Sequence, residues 1–183
     1  MSFATPKLFK SWLKKHHLTS SGLWVRFYKN ASGVKTIIYA EALDEALCYG
    51  WIDSQAKTYD AESYLQKFTP RRSKSIWSKR NREHVARLIE EGRMQPVGLK
   101  RVEEAKKDGR WDVAYDSPKN MQVPEDLLTE LKKYERAQSF FEHLNKANVY
   151  AITWRLQTAK KPETRVKRLK IIMDMLKKGE TFH

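Results

Sequence analysis

Two kinds of hydrophobic periodicity follow one another at the start of the chain. Apolar residues at helical spacing after the Thr5-Pro6 pair predict a helix that ends near residue 16, because Thr caps helices and Pro suits a first turn. Strict alternation over residues 22–29 (GLWVRFYK) then predicts a strand. Residues 34–38 follow a turn, and they are predicted to pair with that strand as a first hairpin.

Residues 39–71 are again predicted to form a helix followed by two strands. Residues 39–50 (YAEALDEALCYG) place alanine and leucine on one face and end in glycine, which predicts a buried helix that includes the thiol of Cys48. Residues 51–60 and 63–71 are rich in β-forming residues. They predict a second hairpin, which Pro70 ends.

The rest of the chain shows helical periodicity. A helix capped by Ser78 or Asn81 is predicted to end at Gly92 with Ile89 among its inward residues, and a further helix is predicted over 96–109.

Beyond residue 124 every apolar pattern is helical. The last helix is predicted to run from Pro162 to Gly179 and to bury Val166, Leu169 and Met173.

These elements predict an α+β fold, with antiparallel β-hairpins packed with helices and an all-helical C-terminal extension. The predicted α+β domain spans residues 1–113, and the helical segment spans 125–183. Residues 114–124 contain two prolines and an Asp-Ser-Pro turn, and they are predicted to be the linker. A length of 183 residues suits one domain with an appendage of this size.

Charge is the strongest signal in the composition. The chain carries 36 Lys and Arg against 22 Asp and Glu, which gives a formal net charge of +14. The basic excess is concentrated in residues 67–82 and 155–170. Such a surface favours an anionic partner, although a merely solvated basic face has the same composition.

Several classes of protein are disfavoured by the sequence. The chain has no apolar run of membrane-spanning length and no secretory h-region, so no membrane span is expected and a cytoplasmic location is predicted. No nucleophile elbow, dinucleotide-binding glycine motif, phosphate-binding loop or zinc-protease motif occurs. Five scattered histidines and one cysteine do not make a metal set, so no metal and no cofactor are expected.

Candidate chemistry concentrates in residues 49–81, where aromatic side chains alternate with arginine, serine and one isolated carboxylate. Arginine binds phosphate or carboxylate through several donors, and tryptophan adds a flat apolar surface. The carboxylate of Asp53 could orient Arg71 or Arg72 or accept a hydrogen bond from a ligand, although an ion pair or a strand-end cap is the simpler role. The predicted ligand-binding residues are Trp51, Asp53, Tyr59, Arg71, Arg72, Ser75, Trp77, Ser78 and Asn81.

Three separated blocks carry a family resemblance: EALDEALCYGWIDS, YLQKFTPRRSKSIWSKRN and GRMQPVGLKRVEEAKKDGRWDVAY. Together with the tail ITWRLQTAKKPETRVKRLKIIMDMLKKG, they resemble the YdeI/OmpD-associated, or bacteriocin-protection, family. The resemblance implies an α+β domain with a helical extension, a cytoplasmic location and no known cofactor. It implies no reaction. Ser54 stands where members of that family usually have glycine.

Three functions remain open at this point. The first is a non-catalytic binding or stress-tolerance protein that holds a small anionic ligand in the basic, aromatic groove. The second is non-specific nucleic-acid binding by residues 67–82 and by a helix that bears Arg165, Lys167, Arg168 and Lys170. The third is an enzyme for a small anionic substrate, with His84 or Asp53 as the acid or base. The oligomeric state does not follow from the sequence.

Overall fold

The computed structural model describes residues 1–117 and 120–182. These residues form two compact units, Met1–Ala114 (unit 1) and Tyr115–His183 (unit 2). The predicted linker 114–124 includes residues 118 and 119, which lie outside the described residues. The fold is α+β, as predicted, with a three-stranded antiparallel sheet and eight α-helices among the described residues.

Unit 1 contains the sheet and the first four helices. Its elements are α1 (Pro6–His16), β1 (Leu23–Tyr28), a short 3-10 turn (Asn30–Ser32), α2 (Tyr39–Cys48), β2 (Trp51–Thr58), β3 (Ser63–Pro70), α3 (Lys79–Glu90) and α4 (Pro96–Lys107).

The sheet has the order β1-β3-β2, and both pairings are antiparallel. The second predicted hairpin is confirmed as β2-β3, with a register shift between Asp53 and Ala56. The first predicted hairpin is wrong, because β1 pairs along its whole length with β3, from Leu23 opposite Phe68 to Tyr28 opposite Ser63. Residues 34–38 form no strand, and the N–H of Ile37 donates instead to the carbonyl of Phe3.

The core of unit 1 is rich in aromatic side chains. One face of the sheet contributes Val25, Phe27 and Phe68 to it, and α1 contributes Phe9, whose ring centre lies 5.6 Å from that of Phe68. Helix α2 is buried along almost its whole length, from Ala42 onward, because it packs against α1, β2, α3 and α4. Two carboxylates are buried with it.

Glycine permits the close approach of α4 to the end of α2. A Cβ atom at Gly98 would lie 2.3 Å from the carbonyl oxygen of Cys48. Helix α2 ends at Cys48, and the predicted stop residue Gly50 follows it with a φ of 69° that favours glycine. The predicted cap of α3 is confirmed, since Ser78 Oγ accepts a hydrogen bond from the N–H of Asn81. Ile89, however, is exposed rather than inward.

Unit 2 is a set of four helices around an aliphatic core. The helices are α5 (Glu125–Leu131), α6 (Glu135–Glu142), α7 (Lys146–Gln157) and α8 (Pro162–Lys178). Leu127, Leu156 and Leu176 are fully buried among them. Helix α8 follows the predicted limits, but Val166 is 68% exposed, so its predicted burial is wrong.

Candidate functional site

The segment between β3 and α3 is fixed from inside by two buried arginines. Arg71 Nη1 donates to the carbonyl of Ile76 over 2.9 Å, and Arg110 Nη1 donates to the carbonyl of Ser75 over 2.8 Å. Arg71 is only 3% exposed and Arg110 only 5%. The predicted residue Arg71 is therefore buried and holds the main chain at Ile76, whereas the predicted residue Ser75 is half-buried and contributes its carbonyl to Arg110.

Two indole rings in contact lead outward from this segment, with a buried arginine at their inner end and two cations at their outer end. The Arg71 guanidinium carbon lies 3.7 Å from the centre of the Trp77 ring. Trp77 meets Trp111 in a T-shaped contact with ring centres 5.0 Å apart. Arg82 and Lys106 in turn lie 5.2 Å and 5.5 Å from the centre of the Trp111 ring. We call these five residues the indole ladder. Because Trp77 is buried and Trp111 is half-buried, only the outer end of the ladder reaches the surface.

An open cleft of about 440 Å³ lies at that outer end. We call it the Trp111 cleft, and its lining residues are Lys79, Arg82, Glu83, Ala86 and Trp111. The cap at Ser78 fixes the start of α3 and so positions the α3 side chains that line it. Arg82 is further fixed by its 2.8 Å hydrogen bond to the carbonyl of Trp111. Two cations and one carboxylate surround a flat apolar wall, which suits a small anion that carries a ring.

The remaining predicted residues do not join this cleft. Trp51 is in the core, and its Nε1–H donates to the carbonyl of His17 over 3.1 Å. Asp53 Oδ2 accepts a 2.9 Å hydrogen bond from the hydroxyl of Tyr39. Burial and the adjacent Asp53 carboxylate raise the pKa of Tyr39, so this hydroxyl keeps its proton.

Three further predicted residues are separated from one another. Tyr59 follows β2, is 58% exposed and stacks on Arg26. Asn81 is buried on α3, and Arg72 is exposed in the segment after β3. The single predicted groove is thus divided into several separate places in unit 1.

A chain of ion pairs joins α2 to α3, and we call it the seam. Asp44 receives His84 Nδ1 at 2.7 Å and Arg87 Nη2 at 2.5 Å, while Glu45 receives Arg93 Nη2 at 2.7 Å. Glu91 links the two parts through Arg87 and Arg93. Hydrogen bonds from these two arginines lower the pKa of Glu91. His84, a candidate acid or base from the sequence, therefore contacts the buried carboxylate of Asp44 in the seam.

The first unit decides the family of the chain. Residues 1–101 match a family model described as Domain of unknown function (DUF8412), which is more than half of the 183-residue chain. The chain belongs to the DUF8412 family. Residues 120–179 match a second model, described as Bacteriocin-protection, YdeI or OmpD-Associated, which confirms the predicted resemblance for the tail of the chain. No curated protein and no solved structure matches the chain.

The DUF8412 match covers most of the Trp111 cleft but not its aromatic wall. Of the five lining residues, Lys79, Arg82, Glu83 and Ala86 fall within residues 1–101, whereas Trp111 follows them. None of these five was among the predicted site residues. Two signals were present: Lys79 and Arg82 belong to the basic run 67–82, and Trp111 closely follows a helix-ending glycine.

The two basic runs are dispersed by the fold. In the first, Lys67 lies on the sheet, Arg71 is buried and Arg82 is on α3. In the second, Arg165 forms two hydrogen bonds to Asp126, and Arg168 donates to the carbonyl of Arg155. Arg71, Arg165 and Arg168 are therefore used in contacts within the units.

Neither a metal site nor a reactive thiol emerges from the described residues. Along 1–117 and 120–182, no three His, Cys, Asp or Glu residues are grouped to hold a metal ion. Burial raises the pKa of Cys48 to about 12, so its sulfur stays a neutral thiol at neutral pH.

No membrane-spanning helix occurs in residues 1–117 and 120–182. None of the helices there combines the length and the apolar character that crossing a bilayer requires. The cytoplasmic location stays a prediction.

Proposed function

We propose that this DUF8412 chain is a non-catalytic binding protein that holds a small anionic ligand with a flat ring in the Trp111 cleft. The observation that carries the proposal is the convergence of Lys79, Arg82 and the Trp111 ring on one open cleft of about 440 Å³. Ligand sites of soluble proteins have volumes of about 300–1,000 Å³ and combine an apolar wall with a few placed polar groups. The cleft meets both criteria.

The two cations have different tasks in this proposal. Arg82 is held by the carbonyl of Trp111, so its planar guanidinium is oriented before a ligand arrives. Lys79 is exposed on the first turn of α3 and brings a second positive charge to the lining of the cleft. Glu83 leaves the cleft with one net positive charge, from two cations and one carboxylate, and adds an acceptor for a donor on the ligand.

A set of three probes separates the parts of this recognition. Phenyl phosphate carries both ring and anion, inorganic phosphate carries the anion alone, and phenol carries the ring alone. Titration calorimetry should show phenyl phosphate binding at least about tenfold more tightly than either of the others, because burying an aromatic ring adds to the hydrogen bonds with the charged groups.

Matched variants of α3 locate the site. Lys79→Gln should weaken phenyl phosphate by about tenfold, since hydrogen bonds to charged groups contribute about 1.5–3 kcal/mol. Arg80→Gln removes the same charge from the neighbouring exposed position, and it should change the affinity less than twofold. Equal losses in both variants would show that only net charge matters. No saturable binding of any probe would refute the proposal.

A further inference from the structure

The side of the sheet that faces away from the core carries its own aromatic and basic residues. In β1 the side chains of Val25 and Phe27 are buried, so the intervening residues point to the opposite side. The register of the sheet places Lys67 beside Trp24 and Leu65 beside Arg26. We call this side the outer face, and it bears Trp24, Arg26, Tyr28, Lys57, Tyr59, Leu65 and Lys67.

One end of the outer face combines a tryptophan with two lysines. The ammonium nitrogen of Lys57 lies 4.8 Å from the centre of the Trp24 ring, and that of Lys67 lies 5.8 Å from it. Within the ranges 1–117 and 120–182 neither lysine forms an ion pair. Both positive charges therefore remain available to an anion beside the ring.

The other end combines an arginine with two tyrosines. The Arg26 guanidinium carbon lies 4.4 Å from the centre of the Tyr28 ring and 4.6 Å from that of Tyr59. Arg26 also bonds Asp60 at 2.6 Å and Ser63 at 2.9 Å, so its charge is already neutralised. What this end offers to a partner is the exposed ring of Tyr59.

We propose that the outer face binds single-stranded nucleic acid, with bases stacked on Trp24 and Tyr59 and phosphates paired with Lys57 and Lys67. Single strands expose the flat faces of their bases, and proteins that bind them combine aromatic rings with a basic track. A duplex hides those faces, so it would leave the rings without a role. The net charge of +14 adds long-range attraction for the strand.

The positions of the acidic residues determine at which end of the outer face the phosphates would bind. Asp60 and Glu62 lie in the turn between β2 and β3, next to Tyr59 and far along the strands from Trp24. Phosphates are repelled there and attracted by the two lysines. The lysine pair should therefore carry most of the salt dependence, and Tyr59 should contribute stacking alone. This site is separate from the Trp111 cleft, and neither proposal depends on the other.

Fluorescence anisotropy of a labelled short oligothymidylate tests the proposal at low and at physiological salt. The single strand should bind at least about tenfold more tightly than a duplex of the same length. The double variant Lys57→Gln/Lys67→Gln should weaken binding and reduce the slope of log affinity against log salt by about 1.4, or about 0.7 for each phosphate that a lysine no longer neutralises. The control Lys14→Gln/Lys100→Gln removes two exposed charges from α1 and α4 and should leave that slope unchanged.

Aromatic variants test stacking independently of charge. Tyr59→Leu should weaken the oligothymidylate at least about fivefold, and Trp24→Leu should weaken it further, whereas Trp24→Phe should keep most of the affinity. Because Tyr59 is exposed, its variant folds even if the Trp24 variants are destabilised. Wild-type affinity in Tyr59→Leu, equal affinity for duplex, or equal competition by polyglutamate would overturn the proposal.

Discussion

The seam and the outer face use basic residues in opposite surroundings. In the seam, Arg87 and Arg93 meet Asp44 and Glu45 on α2, and both of these carboxylate residues are buried. On the outer face, Lys57 and Lys67 lie over an indole ring and meet no carboxylate among the described residues. The difference separates cations that stabilise the fold from cations that are left for a ligand. A count of charges along the sequence cannot make that distinction.

The largest effect is expected when the seam is broken at Asp44. Asp44→Ala should lower the free energy of unfolding by roughly 2–4 kcal/mol, because removing one partner of a buried pair leaves the others uncompensated. The partly exposed Arg87 places the value below that of a fully buried pair. Urea denaturation measures it.

The matched control is Glu90→Ala, which removes an exposed carboxylate from α3. It should change stability by less than about 0.5 kcal/mol. If the two variants were equally stable, the seam would not be a stabilising structure.

A second variant disturbs α2 from its other side. Gly98→Ala should cost about 1–3 kcal/mol, because its Cβ would meet the carbonyl oxygen of Cys48 at 2.3 Å and α4 would have to move. Thermal unfolding compares it with Lys100→Ala, an exposed change in the same helix. A Gly98→Ala protein as stable as Lys100→Ala would contradict the close approach of the two helices.

The pH dependence of stability should report the seam. The pKa of Glu91 is lowered in the folded chain, so its contribution is present above its unfolded value of about 4.3 and is lost as pH falls through the lowered value. The melting temperature of wild type should fall more between about pH 6 and about pH 3, a range set by that ordinary carboxyl pKa, than that of Glu91→Gln. If the melting temperatures of both proteins fell equally, Glu91 would not contribute to the stability of the seam.

The smallest effect on stability is expected on the outer face. Lys57→Gln/Lys67→Gln should change the free energy of unfolding by less than about 1 kcal/mol, because exposed cation–π contacts are weak. A loss as large as that of Asp44→Ala in the same urea titration would make these lysines structural and would end the contrast with the seam.

Local signals predicted most elements of the fold. Caps and glycines indicated the limits of α1, α2, α3 and α8 correctly, because these signals act within a few residues. The partner of β1 was mispredicted, since pairing depends on which strand becomes central. As the central strand, β3 forms hydrogen bonds with both β1 and β2. Residues 34–38 bury little more than Ile37, so they offer β1 a weaker partner.

The candidate site was less accessible to sequence reasoning. Composition indicated a basic, aromatic region, but it could not show that Arg71 turns inward to the carbonyl of Ile76 while Arg82 lines an open cleft. Trp111 lies far from α3 in the sequence, and only the fold brings its ring beside Arg82 of that helix. Of the outer face, Tyr59 was the one predicted ligand-binding residue, because Trp24 and Lys67 become neighbours through strand register alone.

The central claim is that unit 1 has two separate anion-binding surfaces, and one crossed titration tests it directly. Phenyl phosphate and oligothymidylate are each titrated into Lys79→Gln and into Lys57→Gln/Lys67→Gln. We predict that the first variant loses about tenfold for phenyl phosphate alone and that the second loses affinity for oligothymidylate alone. If both variants weakened both probes equally, the two surfaces would be one diffuse basic field, and the claim would be wrong.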